Sequence, residues 1–146
     1  RFVGINQAGQ VCLLQTQGNP NGHVILRGGK APNYDAASVK AASEGLVKAG
    51  HDPFLMIDAS HSNSHKICRN QINVVSDIAE QISEGSPNIM GVMIESNLVE
   101  GRQDIVPGQP LTYGQSVTDA CISWEDTVPL LDQLARSVRD RRARNM

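Results

Sequence analysis

Apolar residues fall into short runs divided by polar, turn-rich segments, and the spacing inside each run predicts an element. Phe2 to Ile5 and Val11 to Thr16 flank the polar connector Asn6 to Gln10, whose Gly9 suits a positive φ, so residues 1–16 read as a β-hairpin. After the turn-rich Gly18 to Gly22, His23 to Arg27 is a strand with a continuous apolar centre that ends in Gly28-Gly29-Lys30. Asp35 to Ala49 sets Val39, Ala42, Leu46 and Val47 at helical spacing before Gly50 stops it. Phe54 to Ile57 is a second strand leading into Asp58-Ala59-Ser60-His61. The continuation to Ile82 puts Ile67, Val74, Val75, Ile78 and Ile82 on one side of a long helix, with Ser62, Asn63 and Ser64 as its caps. Ile89 to Ile94 is a third strand ending at Glu95, and a polar loop rich in Gly and Pro runs on to about Ser116. The last helix is expected to start near Asp126 or Thr127, with Pro129 in its first turn and Val128, Leu131, Leu134, Ala135 and Val138 as its apolar stripe.

A hairpin followed by three strand-helix units, with polar residues directly after each strand, indicates a parallel α/β architecture whose ligands gather beyond the carboxyl ends of the strands. A complete eight-unit barrel needs roughly 250 residues. The 146 residues here could hold only part of one, and the opening at Arg1 rather than Met leads to the expectation of a truncated or processed product whose missing units precede Arg1.

Composition narrows the partners. Hydrophobic residues make up 40% and charged ones 19%, which suits a folded core rather than disorder. A net charge of −2 offers no global attraction to nucleic acid or anionic lipid, and the five arginines from Arg136 to Arg144 read as a solvated helix end that complements the helix dipole. Cys12, Cys68 and Cys121 are odd in number and widely spaced, unlike a secreted disulfide framework; Cys12 falls in the hairpin and Cys68 on the second helix, both as structural residues. No apolar run approaches the ~20 residues of a membrane span. The expectation is a cytoplasmic protein with no nucleic-acid or membrane partner.

Candidate chemistry sits at the strand ends. Arg27 follows the first strand, His61 the second and Glu95 the third, with Asp119 in the loop beyond. An imidazole and two carboxylates suit a divalent transition metal, and an arginine fork suits a phosphate or carboxylate. A lone histidine at a strand end is more often a hydrogen-bonded structural residue than a ligand. Glu95 differs, because a charge directly after an apolar strand is costly without a cationic partner. Lys30 reads equally as a phosphate-holding residue or as an exposed loop residue, Asp58 as the group that orients His61, and Cys121 as a small buried hydrophobe close to Asp119.

Four phrases then carry a specific resemblance: Ile25 to Tyr34 (ILRGGKAPNY), Asp58 to Ser64 (DASHSNS), Gly91 to Asn97 (GVMIESN) and Ser116 to Glu125 (SVTDACISWE). In this order they resemble the class I 3-deoxy-D-arabino-heptulosonate 7-phosphate (DAHP) synthases across nearly the whole chain. The resemblance implies the C-terminal portion, units six to eight, of a (β/α)8 TIM barrel over residues 22–146, with a regulatory hairpin inserted before the sixth strand. It implies that His61, Glu95 and Asp119 bind a divalent metal (Mn, Fe, Co or Zn), with a fourth ligand, a cysteine, from the preceding half. Arg27 would bind phosphoenolpyruvate, which condenses with erythrose 4-phosphate in the first step of the shikimate pathway, while Lys30 keeps its open readings as a substrate-phosphate residue, an exposed loop residue or a support for Arg27.

The resemblance further implies a homo-oligomer and an aromatic amino-acid inhibitor lodged against the hairpin at Phe2, Gly4 and Leu14. Tyrosine is expected rather than phenylalanine, because Gly4 stands where phenylalanine-sensitive members tend to carry serine; tryptophan stays open. The chain by itself, lacking one ligand and most of the cationic pocket, is expected to be inactive. Alternatives are a related metal-dependent barrel aldolase, including the octulosonate 8-phosphate synthases, and a regulatory or assembly fragment without catalysis.

Overall fold

The computed structural model describes residues 1–19 and 21–144; Pro20 of the predicted turn and residues 145–146 of the last predicted unit lie outside them. The chain opens on β1 (Phe2–Ile5) and β2 (Val11–Leu14), paired antiparallel with Phe2 opposite Leu14 and Gly4 opposite Cys12. Gly9, at φ 78°, and the Asn6 side chain, which accepts from the N–H groups of Ala8 and Gln10, close the turn. The second strand stops two residues short of the expected Thr16.

A three-stranded parallel sheet follows in chain order, β3 (Val24–Leu26), β4 (Leu55–Asp58) and β5 (Ile89–Met93). Helix α1 (Ala36–Lys48) joins β3 to β4 and α2 (Asn70–Ser83) joins β4 to β5. Registers place Leu26, Ile57 and Val92 side by side, with Leu55 two residues before Ile57 and paired with Ile89, three before Val92, and this face packs with Val39 of α1 and with Val74, Val75, Ile78 and Ile82 of α2. Burying this apolar face against both helices is the main stabilising term of the unit. Alternation sends Ile25, Met56, Asp58 and Met93 to the other face, where Ile25 and Met93 are exposed. An extra residue, Met90, makes the register shift between Leu55 and Met56.

The second helix is shorter than expected. Residues 61–66 form turns, Ile67 is exposed, and the helix begins only at Asn70. Cys68 therefore lies in the connecting turns rather than on the helix. Gln71, not Ile67, heads the buried side of α2, four residues before Val75, as helical periodicity demands of one face. Ser62, Asn63 and Ser64 do not cap it: Arg69 occupies the cap position without a side-chain bond, and Asn63 is used elsewhere.

The expected loop after Glu95 contains two short parallel strands, β6 (Val99–Arg102) and β7 (Gln115–Ser116). Side-chain amides do part of the pairing there. Gln103 Nε2 donates to the carbonyls of Thr112 (2.8 Å) and Gln115 (3.0 Å), its Oε1 accepts from the Thr112 N–H, and Gln115 Nε2 reaches the Glu100 carbonyl at 2.9 Å. Helix α3 (Trp124–Arg144) starts two to three residues earlier than expected because Ser123 caps it, its Oγ accepting from the Asp126 N–H at 3.1 Å. Pro129 consequently sits in the second turn. The face of α3 that packs on α2 and the core holds Thr127, Leu130, Leu134, Ser137 and Val138, whereas Val128 and Leu131 are exposed.

Candidate active site

The strand ends deliver Arg27, His61 and Glu95 to one side of the sheet, and the loop from β7 returns Asp119 over them. Asp58, the last residue of β4, is fully buried. One carboxylate oxygen accepts from the Ser60 N–H (2.8 Å) and the other lies 2.7 Å from His61 Nδ1. A carboxylate at this position favours the tautomer with the proton on Nδ1, which would leave the Nε2 lone pair to the cleft. His61 itself is held in the left-handed region at φ 50°, a conformation that costs a non-glycine residue about 1–3 kcal/mol and is typical of functional sites.

Glu95 is fixed from two sides. Its backbone is clamped by the buried amide of Gln71, which accepts from the Glu95 N–H (2.8 Å) and donates to the Glu95 carbonyl (3.1 Å). Its carboxylate accepts from Ser60 Oγ at 2.6 Å and lies 3.8 Å from His61 Nε2. The Asp119 segment is stitched to the chain beyond Glu95: Ile122, fully buried, donates to the Glu95 carbonyl at 3.0 Å, and Cys121 bridges to Gly101. One ligand atom from each of His61, Glu95 and Asp119 lies within 4.8 Å of the others. Donors about 2 Å from one cation stand up to ~4 Å apart, so small side-chain adjustments suffice for this set to share a divalent ion.

These residues line a cleft of about 500 Å³ together with Arg27, Gly28 and three side chains that sequence patterns did not single out for chemistry, Lys66, Cys68 and Arg102. Lys30 is exposed and is not among the lining residues. Asn63, almost wholly buried, ties the loops together by donating to the carbonyls of Leu26 (3.1 Å) and Asp58 (2.8 Å) and accepting from the Asn33 N–H (2.8 Å). Cys121 is buried, and burial pushes its thiol up from the usual range, the Ser116 hydroxyl acting the other way; its Sγ donates to the Asp119 carbonyl. Gln71 had a signal that could have been read, since a polar residue stands at a core position of an otherwise apolar helical stripe. Ser60, Lys66 and Arg102 had none, because only the tertiary fold brings their separate stretches of chain to one cleft.

On the hairpin, Phe2, Gly4 and Leu14 share one face. A Cβ placed on Gly4 would stand 2.5 Å from Leu14 Cδ1, so the space a glycine leaves is filled by the leucine side chain.

A parallel α/β unit that gathers an imidazole, two carboxylates and cationic side chains beyond the carboxyl ends of its strands has the architecture of a ligand-binding enzyme of the α/β class. Comparison with known proteins narrows this. A model of the DAHP synthetase I family matches residues 3–132, and the chain belongs to that family. It is 57% identical over 135 residues to the Tyr-sensitive phospho-2-dehydro-3-deoxyheptonate aldolase of Escherichia coli K12, covering 92% of this chain and 38% of that protein. To the Phe-sensitive enzyme of the same organism it is 50% identical over 141 residues, 97% of this chain and 40% of the relative. A solved phospho-2-dehydro-3-deoxyheptonate aldolase from Francisella tularensis superposes with a TM-score of 0.86 at 50% identity, over 96% of this chain and 41% of that one. The chain thus spans about two fifths of the length of the relatives it matches.

Proposed function

We propose that the protein of which this chain forms a part condenses phosphoenolpyruvate with erythrose 4-phosphate to DAHP and inorganic phosphate. The observation that carries this reading is the convergence of His61, Glu95 and Asp119 at one end of the parallel sheet, in a chain of this family. Residues 22–146 would supply the last three units of a (β/α)8 barrel, and strand order that follows chain order without reversal suits a barrel wall. The exposed inner sheet face fits a wall whose opposite side belongs to other units.

His61, Glu95 and Asp119 would hold a divalent metal, joined by a donor outside this chain. The ion would supply Lewis acidity toward a substrate carbonyl. Asp58 orients His61, Gln71 and Ser60 orient Glu95, and Arg27 would grip an oxygen pair of phosphoenolpyruvate with its planar fork. Lys30 could reach a substrate phosphate only from beyond the cleft wall. The Phe2, Gly4 and Leu14 face would receive an aromatic amino acid, tyrosine in preference to phenylalanine, once the Leu14 side chain rotates off Gly4. A homo-oligomeric, cytoplasmic enzyme completes the proposal; among the described residues no helix is long and apolar enough to cross a membrane.

The test is a product assay on the full-length protein with Mn²⁺, with and without each aromatic amino acid. DAHP formation, its loss by at least about 10³-fold in His61→Ala, and inhibition by tyrosine are expected, while this chain alone should be inactive. Product from octulosonate precursors alone would overturn the substrate assignment, and inhibition by phenylalanine alone would overturn the hairpin assignment.

A further inference from the structure

We propose that Lys66 is a second anion-binding side chain of the cleft, holding a phosphate group of a substrate across from Arg27; this rests on the reading of the cleft as a site for phosphorylated substrates. Lys66 lies in the turns between β4 and α2 and lines the same cleft as Arg27, His61 and Glu95. Its backbone is strained. Three non-glycine residues of this short segment, His61, His65 and Lys66, have φ of 50°, 54° and 59°, each costing about 1–3 kcal/mol. A turn that only joined a strand to a helix could carry glycine at positions 65 and 66 without that cost.

The strain is held in place by a set of hydrogen bonds. The Lys66 N–H donates to the His61 carbonyl at 2.8 Å and the Ser64 N–H to the Ser60 carbonyl at 3.2 Å, and Asn70 Nδ2 donates to the Ser64 carbonyl at 3.0 Å. The placement of Lys66 is therefore tied to that of His61. What the strained turn achieves is a cation on the cleft wall.

Within this chain, charge balance favours a second cation beside Arg27. Glu95 and Asp119 both face the cleft and repel a phosphate dianion. Among the described residues, Arg102 is engaged by Asp104, and Arg69 by Glu100 and Asp126, whereas neither Arg27 nor Lys66 forms an ion pair. An ammonium is a compact charge with three donors, suited to the oxygens of a phosphate.

The experiment compares the full-length protein with Lys66→Gln, Lys66→Arg and Lys66→Gly, measuring KM and kcat for both substrates, melting temperature, and binding of inorganic phosphate by calorimetry. Lys66→Gln should raise KM about 10-fold or more for one substrate, with kcat changed less than about threefold, as expected for loss of a charge-assisted bond. A rise for phosphoenolpyruvate or for erythrose 4-phosphate identifies which phosphate is held. Lys66→Arg should recover most of the loss. Lys66→Gly should show the same KM defect with an equal or higher melting temperature, because it relieves the backbone strain that a merely structural residue would have no reason to carry. Unchanged KM values and phosphate affinity in both Lys66→Gln and Lys66→Gly, in an enzyme that His61→Ala inactivates, would overturn the proposal while leaving the functional reading intact. If the parent protein forms no DAHP, the functional reading fails, and phosphate affinity alone then decides Lys66: weakened binding in Lys66→Gln supports it and unchanged binding overturns it.

Discussion

Gly28 shows how tightly the site is assembled at the level of single atoms. It follows Arg27 by one residue, has φ 76°, and donates its N–H to Asn33 Oδ1 at 2.7 Å. A Cβ there would stand 2.6 Å from Ser62 Cβ and 2.9 Å from the Asn63 nitrogen, atoms of the turn that carries His61. Gly28→Ala meets both a left-handed backbone, costing roughly 1–2 kcal/mol, and overpacking of roughly 1–3 kcal/mol. In the full-length protein it should therefore lose at least about 2 kcal/mol in urea unfolding and displace His61 enough to depress activity. Gly29→Ala is the control: nothing lies within 4 Å of its added methyl and no left-handed φ is involved, so it should stay within about 1 kcal/mol. Equal stability of the two variants would contradict the packing argument.

Helix α1 illustrates an element whose start is written locally and whose strength depends on pH. Asp35 caps it, one carboxylate oxygen accepting from the Ser38 N–H at 3.0 Å and the other from Ser38 Oγ at 2.7 Å. These bonds, the hydroxyl foremost, hold the Asp35 carboxyl below its usual range. A carboxylate whose folded pKa is depressed contributes stability above its unfolded value, near 4, and that contribution fades as pH falls through the lower folded value. Asp35 is largely exposed, so solvent screening keeps the effect modest. Asp35→Ala should cost about 0.5–2 kcal/mol at pH 7 and less at pH 3, measured by denaturant unfolding. A constant difference across that range would show that the carboxylate charge plays no part.

For the whole molecule, the exposed apolar surface is the dominant feature. Ile25 and Met93 are exposed on the face of the sheet opposite the helices, Met90 is exposed at the bulge of β5, and Val3, Ile5, Val11 and Leu13 form an exposed row on the hairpin face opposite Phe2 and Leu14. Apolar area of this kind is removed from water in a stable protein or drives association. The isolated chain should bind a hydrophobic dye such as ANS and elute larger than a monomer in size-exclusion chromatography, and dye binding per chain should fall sharply in the full-length protein. A dye-silent monomer would mean that this surface tolerates water.

The existence, type and order of the long elements were legible in sequence. Hydrophobic periodicity and local caps do not depend on distant contacts, and α1 lies between its predicted ends, Asp35 and Ala49, which are its caps. The strand-end positions of Arg27 and Glu95 were legible for the same reason, since a polar residue directly after an apolar strand marks the strand's carboxyl end, whereas His61, three residues past β4, stood out as a ligand only through the family resemblance. Tertiary structure decided what depends on residues far apart. The segment from His65 to Arg69 reads as the first part of the second helix in sequence, but the left-handed backbone at His65 and Lys66 breaks it. The loop from residue 97 to 116 showed no strand period because glutamine side chains supply part of its pairing. The convergence of Asp119 with His61 and Glu95 came only from the Cys121 and Ile122 bonds that fold its segment back over the strand end. Local sequence sets local backbone preference, but a site built across four loops exists only when packing brings those loops together.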